Sequence, residues 1–212
     1  MKNAFVKTKN VKNFVSLMDS LQKLPLNIPK LALVYGEHGL GKTHSIIWWA
    51  TRNDAVYVRA NNEMTQAALM RAIVDEVDYL IGNRNVIESL RDIQDNTGTP
   101  IVLVGMGAVD KKIARFKHFE DRLYKKLKFE HFNQTDIAEI LEKLTDLKFS
   151  ESAIEYLATR TNQFRQLVKL LEKLEKLSNT NSIKELDEYT LKGLINERAN
   201  IQIMQKAEKL YA

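Results

Sequence analysis

The run Gly36-Glu37-His38-Gly39-Leu40-Gly41-Lys42-Thr43 matches the spacing G-x-x-x-x-G-K-[ST] without a departure. Glycines at these positions let a backbone wrap a polyphosphate so that successive N–H groups point inward. The lysine then reaches the β- and γ-phosphates, and the threonine hydroxyl ligates Mg²⁺. The chemistry this pattern serves is binding of ATP with Mg²⁺, with Gly36, Glu37, His38, Gly39, Leu40, Gly41, Lys42, Thr43 and His44 as the contacting stretch and Lys42 also acting in catalysis. A second signal is Ile73-Val74-Asp75-Glu76, an apolar run ending in two acids. There Asp75 can hold the Mg²⁺ shell while Glu76 polarises an attacking water. Alone, that pair equally suits a helix with solvated acids; beside a phosphate loop it reads as a Walker B strand.

The elements needed to position these groups are legible around them. Apolar residues Val11, Phe14, Val15, Leu17, Met18 and Leu21 recur at helical spacing, and that helix should stop before Pro25. Leu31 to Tyr35 is a short apolar run between Pro29 and Gly36, which predicts a buried parallel strand. A helix is expected over 43–52, nearly apolar all round, with Trp48 and Trp49 read as core rather than base-stacking platforms. Further strands are expected at 55–59, 71–76, 101–106 and 127–132, with a helix over 84–96 closed by Asn96-Thr97-Gly98-Thr99-Pro100. Strand, turn, helix, strand within some thirty residues is a βαβ unit. After residue 133 only helices are expected, at 135–147, 150–160, 162–178 and 186–209, with Ser150, Asn162 and Asp187 as cap candidates. The fold class is therefore α/β, a parallel sheet flanked by helices over residues 1–132, followed by a small helical lid over 133–212.

Composition sets the bounds. The 212 residues are 44% hydrophobic and 28% charged with 3 Pro and 8 Gly, which excludes collagen-like, low-complexity and disordered classes. Zero cysteines exclude disulfides, thiolate zinc sites and cysteine nucleophiles, and four scattered His offer no ligand spacing. No apolar run approaches the length of a membrane span and no secretory signal pattern opens the chain, so a cytoplasmic protein without a membrane partner is expected. The net charge of +5 is regional, because residues 1–60 hold nine Lys/Arg against three acids.

The phosphate loop, the run from Ile73-Val74-Asp75-Glu76 through residues 77–107, and the closing Thr161-Asn162-Gln163-Phe164-Arg165 together resemble the MuB type of AAA+ ATPase, the ATP-dependent target-DNA-binding proteins of phage Mu-like transposition. The resemblance covers about residues 5–178. It implies Gly36, Gly39, Gly41, Lys42 and Thr43 as nucleotide-binding, Asp75 as the Mg²⁺ residue and Glu76 as the catalytic acid. It implies a sensor 2 arginine at Arg165, which otherwise reads as a solvated helix residue. It implies an arginine finger at Arg122 or Arg115, with the Phe119-Glu120-Asp121-Arg122-Leu123 context favouring Arg122. The implied activity is ATP hydrolysis coupled to DNA binding and oligomerisation, in a ring or helical filament that presents double-stranded DNA to a transposase. A helicase-loader-like remodeler is the related alternative.

Two features depart from that pattern. Only about a dozen residues separate Arg59 from Arg71, close to the minimum for a parallel crossover. If residues 64–80 formed one helix, Asp75 and Glu76 would miss the nucleotide, leaving a hydrolysis-defective, nucleotide-gated DNA-binding remnant. The strand ending at 106 closes on Gly105, Met106 and Gly107, where AAA+ proteins carry a polar sensor 1 residue. Arg84, Lys111, Lys112, Arg115 and Lys117 are candidates for non-specific contacts to DNA phosphates, or simply a solvated charged face. Lys2, Lys7, Lys9 and Lys12 read either as a DNA-contacting arm or as a frayed end.

Overall fold

Five consecutive apolar residues between Pro29 and Gly36 form strand β1 (Leu31–Tyr35), and its first four residues are fully buried. A computed structural model describes residues 1–60, 73–75, 77–79, 81 and 84–195. The chain divides into two units, Lys9–Glu130, and Met1–Thr8 together with the chain from His131 onward.

The first unit is built on a five-stranded parallel sheet of order β2-β3-β4-β1-β5, with β2 (Tyr57–Arg59), β3 (Ile73–Asp75), β4 (Ile101–Gly105) and β5 (Leu123–Lys128). β1 and β4 pair in register from Leu31 opposite Ile101 to Tyr35 opposite Gly105. Successive strand side chains point to opposite faces, so each of these continuous apolar runs feeds two cores. Leu31, Leu33, Ile101 and Leu103 pack with residues of α3 (Arg84–Thr97), α4 (Val109–Ile113) and α5 (Lys117–Glu120). Ala32, Val34, Val102 and Val104 pack on α1 (Lys9–Lys23) and α2 (Lys42–Ala50). There Trp49 is buried and meets Phe14 edge-on at 6.2 Å, whereas Trp48 is half-buried under the Arg52 guanidinium. The helix after β1 covers one face and the helices after β4 the other. Ligands of open α/β sheets bind at the carboxyl ends of strands where such a switch occurs.

Residues 73–75 are a strand paired with both β2 and β4. The single-helix alternative for residues 64–80 is thereby overturned, because Asp75 closes a strand and Val77–Tyr79 form a 3-10 turn. The crossover itself, 61–72, lies outside the described residues. The last strand also differs from expectation: it spans Leu123–Lys128, and Phe129 and Phe132 lie beyond it. β5 is an edge strand, mostly exposed and rich in lysine, so it lacks the apolar signature of a buried strand and carries the charge that discourages edge pairing. Buried Phe129 follows, its N–H bonded to the Tyr35 carbonyl at 2.7 Å.

The second unit packs α6 (Gln134–Leu144), α7 (Glu151–Arg160) and α8 (Phe164–Thr180) with a helical stretch at 188–195. Leu167, Leu171 and Leu174 form the buried stripe of α8. Ser150 caps α7, and Asp187 Oδ1 accepts the Thr190 N–H at 2.8 Å at the start of the final stretch. Asn162 is not a cap, since α8 starts after Gln163 without a side-chain cap bond. The expectation of helices alone is corrected by two-residue strands, β6 (Lys148–Phe149) and β7 (Glu185–Leu186), paired in parallel. Such strands are too short to leave a periodic signal. The first eight residues are not frayed: Val6 is buried in this unit's core, the Lys2 N–H bonds the Leu144 carbonyl at 2.7 Å, and Lys2 Nζ pairs with Asp146 at 2.6 Å. Among the described residues no helix is long and apolar enough to cross a membrane.

Candidate nucleotide-binding site

The loop between β1 and α2 turns through left-handed backbone at Gly39 (φ 78°) and Gly41 (φ 85°). Gly41 is the N-cap residue of α2 and offers no side-chain oxygen to the first helical N–H groups. A serine or asparagine cap would satisfy those donors internally; here they and the positive end of the helix dipole stay available to an anion. Leu40 is buried and anchors the loop, while Glu37, His38, Thr43 and His44 are exposed.

Lys42 bends back over the loop and donates to the Gly36 and Glu37 carbonyls, both at 2.7 Å. Burial pushes its pKa down from the ordinary lysine value, and the charges of Asp75, Asp78 and Glu37 partly offset that. An ammonium held against two neutral carbonyls in a partly desolvated site gains by exchanging them for phosphate oxygens.

Asp75 is buried at the carboxyl end of β3, and its Oδ2 accepts the Thr43 hydroxyl at 2.7 Å and the Tyr57 hydroxyl at 3.0 Å. A hydroxyl and a carboxylate this close offer oxygen donors of the kind a Mg²⁺ ion takes together with phosphates and water. The residues present therefore fit ATP with Mg²⁺. Glu76 lies outside the described residues.

No family model matches the chain, and no curated protein sequence matches it. Solved structures do match its fold. The RuvB Holliday junction branch migration motor of Thermotoga maritima aligns over 91% of this chain and 70% of its own, at 20% identity and TM-score 0.64. Aeropyrum pernix ORC2, in ADPNP and ADP complexes, covers 93% of this chain and 70% of its own, at 13% identity and TM-score 0.66. AMPPCP-bound DnaA of Aquifex aeolicus covers 81% of this chain and 64% of its own, at 18% identity and TM-score 0.59. The fold, a parallel sheet flanked by helices, matches that of these AAA+ P-loop ATPases.

Within this fold the remaining candidates sort by surroundings. Arg165 is the second residue of α8, in the helical unit. Arg122 sits just before β5 and is held by both carboxylate oxygens of Asp95 near the end of α3. Arg115 is exposed between α4 and α5, without an ion-pair partner among the described residues. Lys111 and Lys117 are also exposed, and Lys112 pairs with Asp78 at 3.6 Å. Arg84 opens α3, its side chain outside the described set.

Two features escaped the sequence reading. Asp78 follows Asp75 by three residues but belongs to no local motif. The basic excess is not confined to the first 60 residues, because 111–128 hold eight Lys/Arg against Glu120 and Asp121. In β5, Lys125, Lys126 and Lys128 are exposed, with Lys126 paired to Glu120. A charge count over that shorter window would have found them.

Proposed function

We propose that this chain is an ATP-dependent, DNA-associating AAA+ ATPase that oligomerises on double-stranded DNA and presents it to a transposase. The observation that carries the ATPase part is Thr43 held on Asp75 across the mouth of a glycine loop whose lysine is partly desolvated. Gly36, Gly39, Gly41 and Lys42 would hold the phosphates, and Thr43 and Asp75 the Mg²⁺. Mg²⁺ when bound neutralises charge on the β- and γ-phosphates. Lys42 orients the terminal phosphate, Asp75 fixes the Thr43 hydroxyl, and Glu76 accepts a hydrogen bond from water. Arg165, the second residue of α8, is the sensor 2 candidate that the resemblance implies, and Arg115 or Arg122 would act on a neighbouring copy's nucleotide.

The DNA part is supported by the basic window 111–128 and by the fold, which is shared with a branch migration motor and, at 12% identity and TM-score 0.56, with ORC1 of Aeropyrum pernix in complex with DNA. The transposase rests on the resemblance to the MuB type, and a helicase-loader-like role is its alternative. A second reading, nucleotide-gated DNA binding without hydrolysis, is favoured by the end of β4, where Gly105, Met106 and Gly107 supply no polar side chain.

The deciding experiment is ATP hydrolysis with and without duplex DNA for wild type, Lys42→Ala and Glu76→Gln. DNA-stimulated turnover in wild type alone supports the ATPase. Equal, background rates in all three leave the gated binder. Sedimentation unchanged by ATP and DNA together would remove the assembly.

A further inference from the structure

The 3-10 turn after Asp75 puts Asp78 between two parts of the α/β unit that the sequence keeps apart. Its Oδ2 accepts the Met106 backbone N–H at 2.7 Å, at the tip of β4. Its Oδ1 lies 3.6 Å from Lys112 Nζ on α4. Room for the carboxylate exists because residue 105 is glycine: a Cβ there would stand 2.9 Å from Asp78 Oδ2 and 2.7 Å from Val109 Cγ2. The pinned turn also borders the phosphate loop, since a Cβ on Gly107 would lie 3.8 Å from the Glu37 backbone nitrogen. The Lys42 ammonium feels the Asp78 charge after that of Asp75.

We propose that Asp78 is a positioning residue shared by the nucleotide site and the basic surface, holding the β4–α4 turn with one oxygen and restraining Lys112 with the other, so that capture of Lys112 by a DNA phosphate alters the charge facing Lys42. This rests on the DNA-binding reading above. The Lys112 contact is long for a hydrogen bond and half-exposed on the lysine side, so a phosphate oxygen competes for the ammonium. The Met106 bond is short and charge-assisted, so the turn stays pinned while Lys112 changes partner.

The geometry fixes the signs. Asp78→Asn removes a carboxylate beside a DNA-facing lysine, so affinity for a labelled duplex rises about three- to tenfold while the salt slope stays the same, Lys112 meeting a phosphate in both proteins. Affinity for a fluorescent ATP analogue with Mg²⁺ does not weaken, because a negative charge has left the site. A purely structural role would weaken both. The gain in DNA affinity disappears in the Asp78→Asn, Lys112→Ala double variant. Should Asp78→Asn fail to fold, exposed Lys112→Ala gives an independent arm: without DNA it binds the ATP analogue about two- to threefold more weakly, Asp78 having lost its counter-charge. Wild type that binds DNA, with Asp78→Asn binding no tighter or Lys112→Ala binding nucleotide as wild type does, overturns this inference alone. Wild type that binds no duplex overturns it together with the DNA-binding function.

Discussion

The Thr43 hydroxyl and the Asp75 carboxylate are joined by a 2.7 Å hydrogen bond that ties the start of α2 to the end of β3 across 32 residues of sequence. The same carboxylate oxygen holds Tyr57, so its position is fixed by groups from α2 and β2. Asp75→Asn keeps the shape but loses the charge a divalent ion needs. Nucleotide affinity in the variant should become insensitive to Mg²⁺, while metal-free affinity stays within a few fold of wild type. Titration of a fluorescent ATP analogue with Mg²⁺ and with a chelator checks this, and retained Mg²⁺ dependence would contradict the assignment.

Lys42 supplies a pH signature. Its pKa is lowered by burial from 10.5, so in the free protein it gives up its proton below that value. Between the lowered and the ordinary value the unfolded chain binds the extra proton, and the stability of nucleotide-free protein therefore rises with pH across that window. Affinity for an anionic nucleotide runs the other way, falling about tenfold per pH unit once the ammonium is lost. Lys42→Arg, which keeps its charge at alkaline pH, should flatten the fall even if its affinity at neutral pH is lower. A binding series from neutral pH upward in both proteins measures it, and parallel slopes would show that another group titrates.

The legibility of these features follows their range along the chain. β1, the phosphate loop and the start of α2 are contiguous, and their signals, an apolar run and spaced glycines with Lys42 and Thr43, are local. Asp75 was readable as soon as the phosphate loop gave it a partner. Asp78 was not, because its role depends on Met106, 28 residues away, and on the missing side chain of Gly105. β5 is poorly legible because lysines in an edge strand imitate a solvated segment, while buried Phe129 and Phe132 just beyond it draw the apolar signal past its end. Asn133 leaves a weak cap signal in sequence because its reciprocal partner is Asp136 rather than the usual Glu or Gln.

Stability should be distributed accordingly. Phe14 is fully buried between α1, α2 and the sheet, so Phe14→Ala should cost about 3–5 kcal/mol. Asn133 Oδ1 accepts the Asp136 N–H at 2.8 Å and the Asn133 N–H donates to Asp136 Oδ2 in return, so Asn133→Ala should cost about 1 kcal/mol. Denaturant unfolding followed by Trp fluorescence reports the first, because both tryptophans lie in the α/β unit with Phe14. Far-UV circular dichroism reports both. A Phe14→Ala loss below that of Asn133→Ala would contradict the packing described for α1.

The two arginine candidates can be separated because only one is spoken for. Arg122 grips Asp95 with both partners about one-third exposed, so its removal should cost on the order of 0.5–1 kcal/mol through a partly screened pair. Asp95→Asn should cost a similar amount, and the double variant little more, since each single change already breaks the contact. Arg115 has no such tie among the described residues, and Arg115→Ala should leave the melting temperature unchanged. If Arg115 reaches a neighbouring copy's nucleotide, its loss lowers turnover of the assembled protein by about 10³ or more. Mixing Arg115→Ala with Lys42→Ala protein is the decisive measurement. A finger acting between copies lets an intact site form where a Lys42-bearing subunit meets an Arg115-bearing one, so the mixture recovers turnover that neither variant has alone. Recovery with Arg122→Ala in place of Arg115→Ala would move the role to Arg122 and make its Asp95 contact a resting arrangement that assembly exchanges for phosphate.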